Sequence, residues 1–216
     1  MTYQHCRKVE DYAVFLDRDF EILFARHALP SPGLLQHVKW IKTCGTGVDH
    51  LISHPLTKSG IVFTAVRGIH AACVSELVFA FLLYFQRSLT KIKRYQRLRK
   101  WPLPIDLFHF FEHPVLEWQT LIVAGLGAIG RRVARLGRAF GMRVLGIKRL
   151  PEETQALRFQ RGDEVDEVYG PDALKENVAR ANYLVLCLPL TPETYGLISR
   201  EILGRMKTST FGWSWT

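Results

Sequence analysis

The chain has 216 residues, 48% hydrophobic and 23% charged, an ordinary globular balance that excludes a disordered tail or a fibrous repeat. Lys and Arg outnumber Asp and Glu 29 to 20, an excess that invites nucleic acid, a membrane surface or an anionic ligand. The longest apolar run, Leu77 to Phe85, is nine residues, far short of the about 20 that cross a membrane, and the polar N-terminus lacks the core of a secretory signal.

In chain order, residues 20–25 (FEILFA) form a short apolar run closed by Pro30 and Pro32. Residues 38–43 (VKWIKT) alternate apolar and polar, as a half-buried strand should, and lead into the turn-rich Cys44-Gly45-Thr46-Gly47-Val48-Asp49. Residues 61–65 (IVFTA) are β-branched and aromatic, a third strand. From Ala71 to Lys100 there is no Gly or Pro, which predicts one long helix, apolar through Phe85 and basic afterwards, ended by Pro102 and Pro104. Residues 121–124 (LIVA) predict a buried strand, then a Gly-rich turn and a helix from Ala128 to Phe140, with Ile129, Val133, Leu136 and Phe140 on one face. Residues 143–147 (RVLGI), 165–169 and 183–188 (YLVLCL) predict further strands, with a helix near Ala173–Ala181. Strands alternating with helices imply βαβ crossovers and a parallel sheet covered on both faces.

The glycine turn reads Gly125-Leu126-Gly127-Ala128-Ile129-Gly130. Its place between a strand and a helix is the context in which GxGxxG binds a dinucleotide. Gly125 permits a tight turn, Gly127 lets the backbone approach a diphosphate, and Gly130 lets helix and strand pack closely. The helix N-terminus offers amide N–H groups and a partial positive charge to phosphates. Arg131 and Arg132 oppose that dipole, a conflict a bound polyanion would relieve. At the end of the next strand a carboxylate would hold the ribose 2′-OH of NAD. Here Lys148 and Arg149 stand instead, suited to the extra phosphate of NADP. The alternative is that both point to water and NAD binds without its usual acid.

On these residues the sequence resembles the D-isomer-specific 2-hydroxyacid dehydrogenase family, which includes phosphoglycerate dehydrogenases and glyoxylate/hydroxypyruvate reductases. Four stretches carry the resemblance: residues 40–51 (WIKTCGTGVDHL), the helix around Ser75-Glu76-Leu77, residues 120–149, and residues 183–207 (YLVLCLPLTPETYGLISREILGRMK). It implies an α/β fold: a Rossmann-type parallel sheet, incomplete here, plus a partial flavodoxin-like substrate domain. The implied domains are 1–70 (partial substrate-binding), 71–101 (linking helix), 102–207 (partial NAD(P)-binding) and 208–216 (an aberrant tail). It implies hydride transfer between NADPH, or NADH, and a small 2-keto or 2-hydroxy acid. The loop Gly45-Thr46-Gly47 would receive the substrate carboxylate. Gly125, Gly127, Ala128, Ile129, Gly130, Lys148 and Arg149, with Leu188, Pro189 and Thr194 after the last strand, would line the cofactor. The implied partner is a second copy joined through the 71–100 helix, with no nucleic acid and no membrane.

The resemblance also implies a catalytic Arg, then a Glu, then a His beyond Lys207, the His protonating the carbonyl oxygen. The residues that follow are Thr-Ser-Thr-Phe-Gly-Trp-Ser-Trp-Thr. The expectation is a frameshifted or prematurely ended reading frame, impaired turnover, a bare sheet edge, marginal stability and aggregation. The leading expectation is a truncated NADP-type 2-hydroxyacid dehydrogenase; the alternative is a non-catalytic nucleotide-binding or dimerising remnant.

Other patterns carry less. His109-Phe-Phe-Glu112-His113 matches a zinc-peptidase pattern, but neighbouring prolines favour a loop and no third ligand is evident. His50 and His54 read as surface histidines. His70 is either near the cofactor path or a plain helix-start residue. Cys44 reads as packing. Cys6, Cys44, Cys73 and Cys187 stand apart with no CxxC pair, which suits a reducing cytoplasm. The stretch 87–100, with seven cations and no acid, reads as a solvated helix face.

Overall fold

The structure, a computed structural model, describes residues 20–25, 29, 31–45, 47, 48, 51, 54–105, 115–149 and 164–214. The chain divides into two compact units, Met1–Ile69 and His70–Thr216.

The first unit holds three parallel strands, β1 (Ile22–Ala25), β2 (Trp40–Thr43) and β3 (Val62–Ala65), in the order β1-β2-β3. Their register sets Ile22 beside Trp40 and Trp40 beside Val62. Side chains alternate across a strand, so Ala25 and Ile41 turn inward to meet Leu35, Val38 and Leu56. Ile22, Phe24, Trp40 and Val62 are exposed. Trp40 Nε1 donates to Thr64 Oγ1 at 2.8 Å across two neighbouring strands.

The second unit opens with α1 (Ala71–Gln86) and α2 (Leu89–Arg97). The single helix expected over 71–100 is instead two, bent by 70°. The break falls at Ser88, whose φ of 48° is left-handed. The sequence changes character there: α1 buries Val74, Val78, Phe79 and Leu82, whereas α2 buries nothing. A bend lets the apolar half stay on the core while the cations of α2 reach water.

Next come β4 (Thr120–Ala124), α3 (Ala128–Ala139), β5 (Arg143–Ile147), β6 (Glu167–Tyr169), α4 (Leu174–Asn177), β7 (Tyr183–Leu186), α5 (Arg200–Arg205) and β8 (Phe211–Ser214). Short 3₁₀ turns extend α4 at both ends, so the helix expected near 173–181 is a broken one. The five strands are parallel in the order β6-β5-β4-β7-β8.

Each face of this sheet carries a core. Leu121, Val123, Val144, Tyr183 and Val185 pack under α1 and α3, against Val78, Phe79, Leu82 and Val133. Ile122, Ala124, Leu145, Ile147 and Leu184 pack on the other face against Leu174, Val178 and Ile202. Tyr183 also donates its hydroxyl to Gln86 Oε1 at 2.7 Å, a buried tie from β7 to α1. This is a parallel sheet covered on both faces.

The sheet does not end at β7: β8, within the stretch read as an aberrant tail, adds a fifth strand and becomes the edge on that side. Phe211 pairs with Tyr183 and Ser214 with Leu186. The turn before it is closed by Thr210 N donating to Lys207 O at 2.9 Å. An aromatic-rich segment following a helix meets the requirements of a right-handed crossover whatever its origin.

Candidate nucleotide-binding site

β4 delivers the chain to the glycine turn, where Gly125 N donates to Ile147 O of β5 at 2.9 Å. Gly125 has φ +99°, and a Cβ there would lie 2.4 Å from Cys187 O. Both facts demand glycine. A Cβ on Gly130 would fall 1.8 Å from Gly125 O, so this glycine brings α3 down onto the turn. Gly127 differs: a Cβ there meets nothing within 4 Å. It is the N-cap of α3, a 12-residue helix, and as glycine it sets no side chain of its own over the helix N-terminus. Open space over amide donors at the positive end of a helix is what a diphosphate requires. Ala128 is exposed, and Ile129 turns its side chain into the core while its backbone stays at the helix start.

Cations rim the turn. Arg131 does not wait for an external anion. Its Nε donates to Leu126 O at 3.2 Å and its guanidinium lies 4.0 Å from Glu164 Oε2. Arg135 also pairs with Glu164, Arg138 with Asp166 and Arg143 with Glu167. The acids leading into β6 thus neutralise most of the basic run from 131 to 143. Lys148 and Arg149, just past β5, make no salt bridge among the described residues. Lys148 is half-buried with its N–H bonded to Tyr169 O at 2.9 Å, and Arg149 is exposed.

The loop after β7 completes this side. Leu188 would touch a Cβ on Gly125 at 3.1 Å. Thr194 Oγ1 donates to Pro189 O at 2.6 Å and accepts from Thr191 N at 2.8 Å, which ties the loop to itself. Leu188, Pro189 and Thr194 line an apolar groove of about 480 Å³ together with Leu184, Leu186 and Leu203. The structure therefore brings Leu188 to both the glycine turn and the groove. Burial pushes the Cys187 thiol up to about 11, so it stays neutral. Glu193, not among the residues the sequence singles out, is held below the usual carboxylate range. A hydrogen bond from Thr191 does most of this, and the charge of Arg149 adds to it. The sequence signal was the Pro-Glu-Thr of the loop, an acid in a rim of cations.

In the first unit, Gly45 and Gly47 follow β2 directly, and Thr46 lies outside the described residues. Among the described residues, the buried Thr43 Oγ1 has no hydrogen-bond partner, the sort of group that water or a ligand satisfies. Cys44 is exposed, not packed as expected: the pleat of β2 turns Ile41 and Thr43 inward and carries Cys44 past the core. His54 Nδ1 accepts from Leu56 N at 3.3 Å, a turn-capping role. His70 precedes α1, but its side chain caps nothing. His50 and the 109–113 pattern lie outside the described residues. Among the described residues there is no cluster suited to a metal ion, and no single helix is long and apolar enough to cross a membrane.

A family model described as the NAD-binding domain of D-isomer specific 2-hydroxyacid dehydrogenases matches residues 79–211. A glyoxylate reductase of Korarchaeum cryptofilum is 32% identical over 74% of this chain and 46% of its own length. A D-3-phosphoglycerate dehydrogenase of Methanocaldococcus jannaschii is 28% identical over 80% of this chain and 30% of its own length. D-Lactate dehydrogenase from Aquifex aeolicus, crystallised with NAD and lactic acid, superposes with a TM-score of 0.70 at 26% identity. That superposition covers 90% of this chain and 56% of that one. The chain thus spans about half the length, or less, of the curated relatives it matches. The matched segment takes in the glycine turn, Lys148, Arg149 and the β7 loop, and the chain belongs to the D-isomer specific 2-hydroxyacid dehydrogenase family, oxidoreductases that use a nicotinamide dinucleotide.

Proposed function

We propose that this chain binds NADP(H) at the glycine turn and belongs to a reductase of small 2-keto acids such as glyoxylate. The observation that carries this is the turn itself: two glycines locked by contact, and between them Gly127 open to a ligand above the N-terminus of α3. The residues fit the dinucleotide. Gly125, Gly127, Ala128, Ile129 and Gly130 would hold its diphosphate, Lys148 and Arg149 its 2′-phosphate, and Leu188, Pro189 and Thr194 would border it. Gly45, Thr46 and Gly47 would take the substrate carboxylate through backbone amides. The bound nicotinamide supplies the hydride; this chain orients it and excludes water around it. The exposed Leu77, Phe81 and Phe85 of α1 support association with a second copy. Four scattered cysteines support a reducing, cytoplasmic setting.

Calorimetric titration with NADPH and NADH tests the binding claim. NADPH should bind more tightly, and replacing Lys148 and Arg149 with Gln should erase the difference. Failure of a folded sample to bind either nucleotide overturns it. Steady NADPH oxidation with glyoxylate or hydroxypyruvate then tests the reductase assignment.

A further inference from the structure

α2 buries no residue, yet it is not polar all round. Leu89, Ile92, Tyr95 and Leu98 recur at every third position and form one row along it. Tyr95 is half-buried; Leu89, Ile92 and Leu98 are exposed, Leu98 by 54%. The chain then turns at Arg99, whose φ of 49° is left-handed. Just past the turn Trp101 stands 86% exposed, with Leu103 and Ile105 exposed beyond it. Cations border the row. At about 3.6 residues per turn, Lys91 and Lys93 fall on opposite sides of Ile92, and Arg94 and Arg97 fall on the far face. The stretch 87–100 carries seven cations and no acid. None of the ion pairs among the described residues involves Lys91, Lys93, Arg94 or Arg97.

We propose that α2, with Trp101, is a docking surface for an anionic lipid bilayer, on which the chain lies without spanning it. The surface presents two features together, concentrated positive charge and an uncovered apolar row. A nucleic acid would match the charge, but aliphatic side chains give it nothing to stack on, so the row would stay in water. A second copy packed against the row would set like cations against like. A bilayer of anionic lipids meets both features. Its headgroups neutralise the cations while the row sinks to the level where acyl chains begin. Lys91 and Lys93 can lay their aliphatic stems along the row and keep their ammonium groups among the phosphates. Trp101 suits the headgroup level, where one ring meets both water and hydrocarbon. The 70° bend between α1 and α2 lets the first keep its core contacts while the second lies on the surface. The proposal is independent of the nucleotide reading, since α2 holds none of the residues assigned to the dinucleotide.

The test is co-sedimentation of the full chain with two kinds of vesicle: phosphatidylcholine alone, and phosphatidylcholine mixed two to one with phosphatidylglycerol. The chain should bind the mixed vesicles and not the neutral ones, and added salt should weaken that binding. Replacing Lys91, Lys93, Arg94 and Arg97 together with Gln should weaken it at least about a hundredfold. Ile92→Ser combined with Leu98→Ser should weaken it at least about tenfold. Tryptophan emission should shift to the blue on the mixed vesicles, and Trp101→Phe should remove most of that shift. Each variant should melt as the unaltered chain does, because α2 buries nothing. A folded chain that ignores the mixed vesicles overturns the proposal. So does binding that the two serines leave intact, which is adsorption by charge alone. A single-stranded RNA that displaces the chain from the mixed vesicles and binds the serine variant equally well assigns the surface to nucleic acid. A dimer that the serines dissolve, in a chain that ignores vesicles, assigns it to a second copy. Either result overturns the lipid assignment.

Discussion

The two sheets of this protein are built from similar strands and meet different fates. In the second unit, β4 places Leu121 and Val123 under one pair of helices and Ile122 and Ala124 under another, and all four are fully buried. In the first unit, β1 is just as apolar, yet among the described residues only its inner face is covered: Phe24 is 67% exposed and Val62 on β3 is 58% exposed. Parallel strands bury both faces when crossover helices lie on each side. An apolar β run therefore announces a strand, but whether its second face is covered depends on what the rest of the chain brings.

The largest expected effect separates packing from binding within the covered unit. Gly130→Ala forces a Cβ to within 1.8 Å of Gly125 O and should cost on the order of 3–5 kcal/mol. Gly127→Ala meets open space at φ −76°, a conformation alanine accepts, and should change stability by less than about 0.5 kcal/mol. It should nonetheless weaken NADPH binding at least tenfold, about 1.4 kcal/mol, because the methyl fills the place of the diphosphate. Urea titration and calorimetry of both variants check this pair. Equal stability losses would show that the two glycines share one structural role.

The next effect addresses the sheets directly. Ile122→Ala empties a site sealed on both sides and should cost about 2–5 kcal/mol. Phe24→Ala removes a ring already mostly in water and should cost less than about 1 kcal/mol. If urea titration finds Phe24→Ala as costly as Ile122→Ala, then the outer face of the first sheet is covered in solution and the contrast between the units disappears.

Much of this was legible in the residues because local chemistry decided it. The βαβ order, the strand at 143–147 and the glycine turn follow from short-range rules: β-branched runs, a helical apolar face, and glycines where a Cβ cannot fit. The break at Ser88 was not legible, since no Gly or Pro marks it. It arises from a conflict between an apolar half seated on the sheet and a basic half that must stay in water. β8 is hard to read from residues 208–216 because they depart from the family pattern, and only pairing with β7 makes a strand of their aromatic stretch. The Lys148-Arg149 pair is plain in the sequence, whereas the pairing of Arg135 and Arg138 with Glu164 and Asp166 is not, because those acids come from a segment beyond β5. Sequence reading locates the cradle of a site more readily than the charges that reach it from elsewhere.

The smallest effect concerns acid. Glu167 opens β6 at the sheet edge. Partial burial pushes its carboxyl up, but hydrogen bonds from Tyr169, Arg180 and Arg143 prevail and bring it down to about 2. Arg180 reaches it at 3.1 Å. Because the folded value lies below the usual 4.5, this network stabilises the fold above about pH 4.5 and loses that contribution as pH falls toward 2. Solvent screening at the sheet edge leaves about 1–2 kcal/mol of it. Among the described residues of the first unit, the acid that pairs is Glu21 with Lys39, and both side chains are open to solvent. Acid should therefore weaken the second unit more than the first between pH 4.5 and 2. Glu167→Gln should flatten that part of the curve for the second unit while leaving the first unit's curve in place. Melts over this range, followed by a probe in each unit, distinguish the two. If the acid dependence of the second unit survives Glu167→Gln, its source lies in the Arg135–Glu164 and Arg138–Asp166 pairs beside the glycine-turn helix, and acid would then loosen the binding face before the sheet edge.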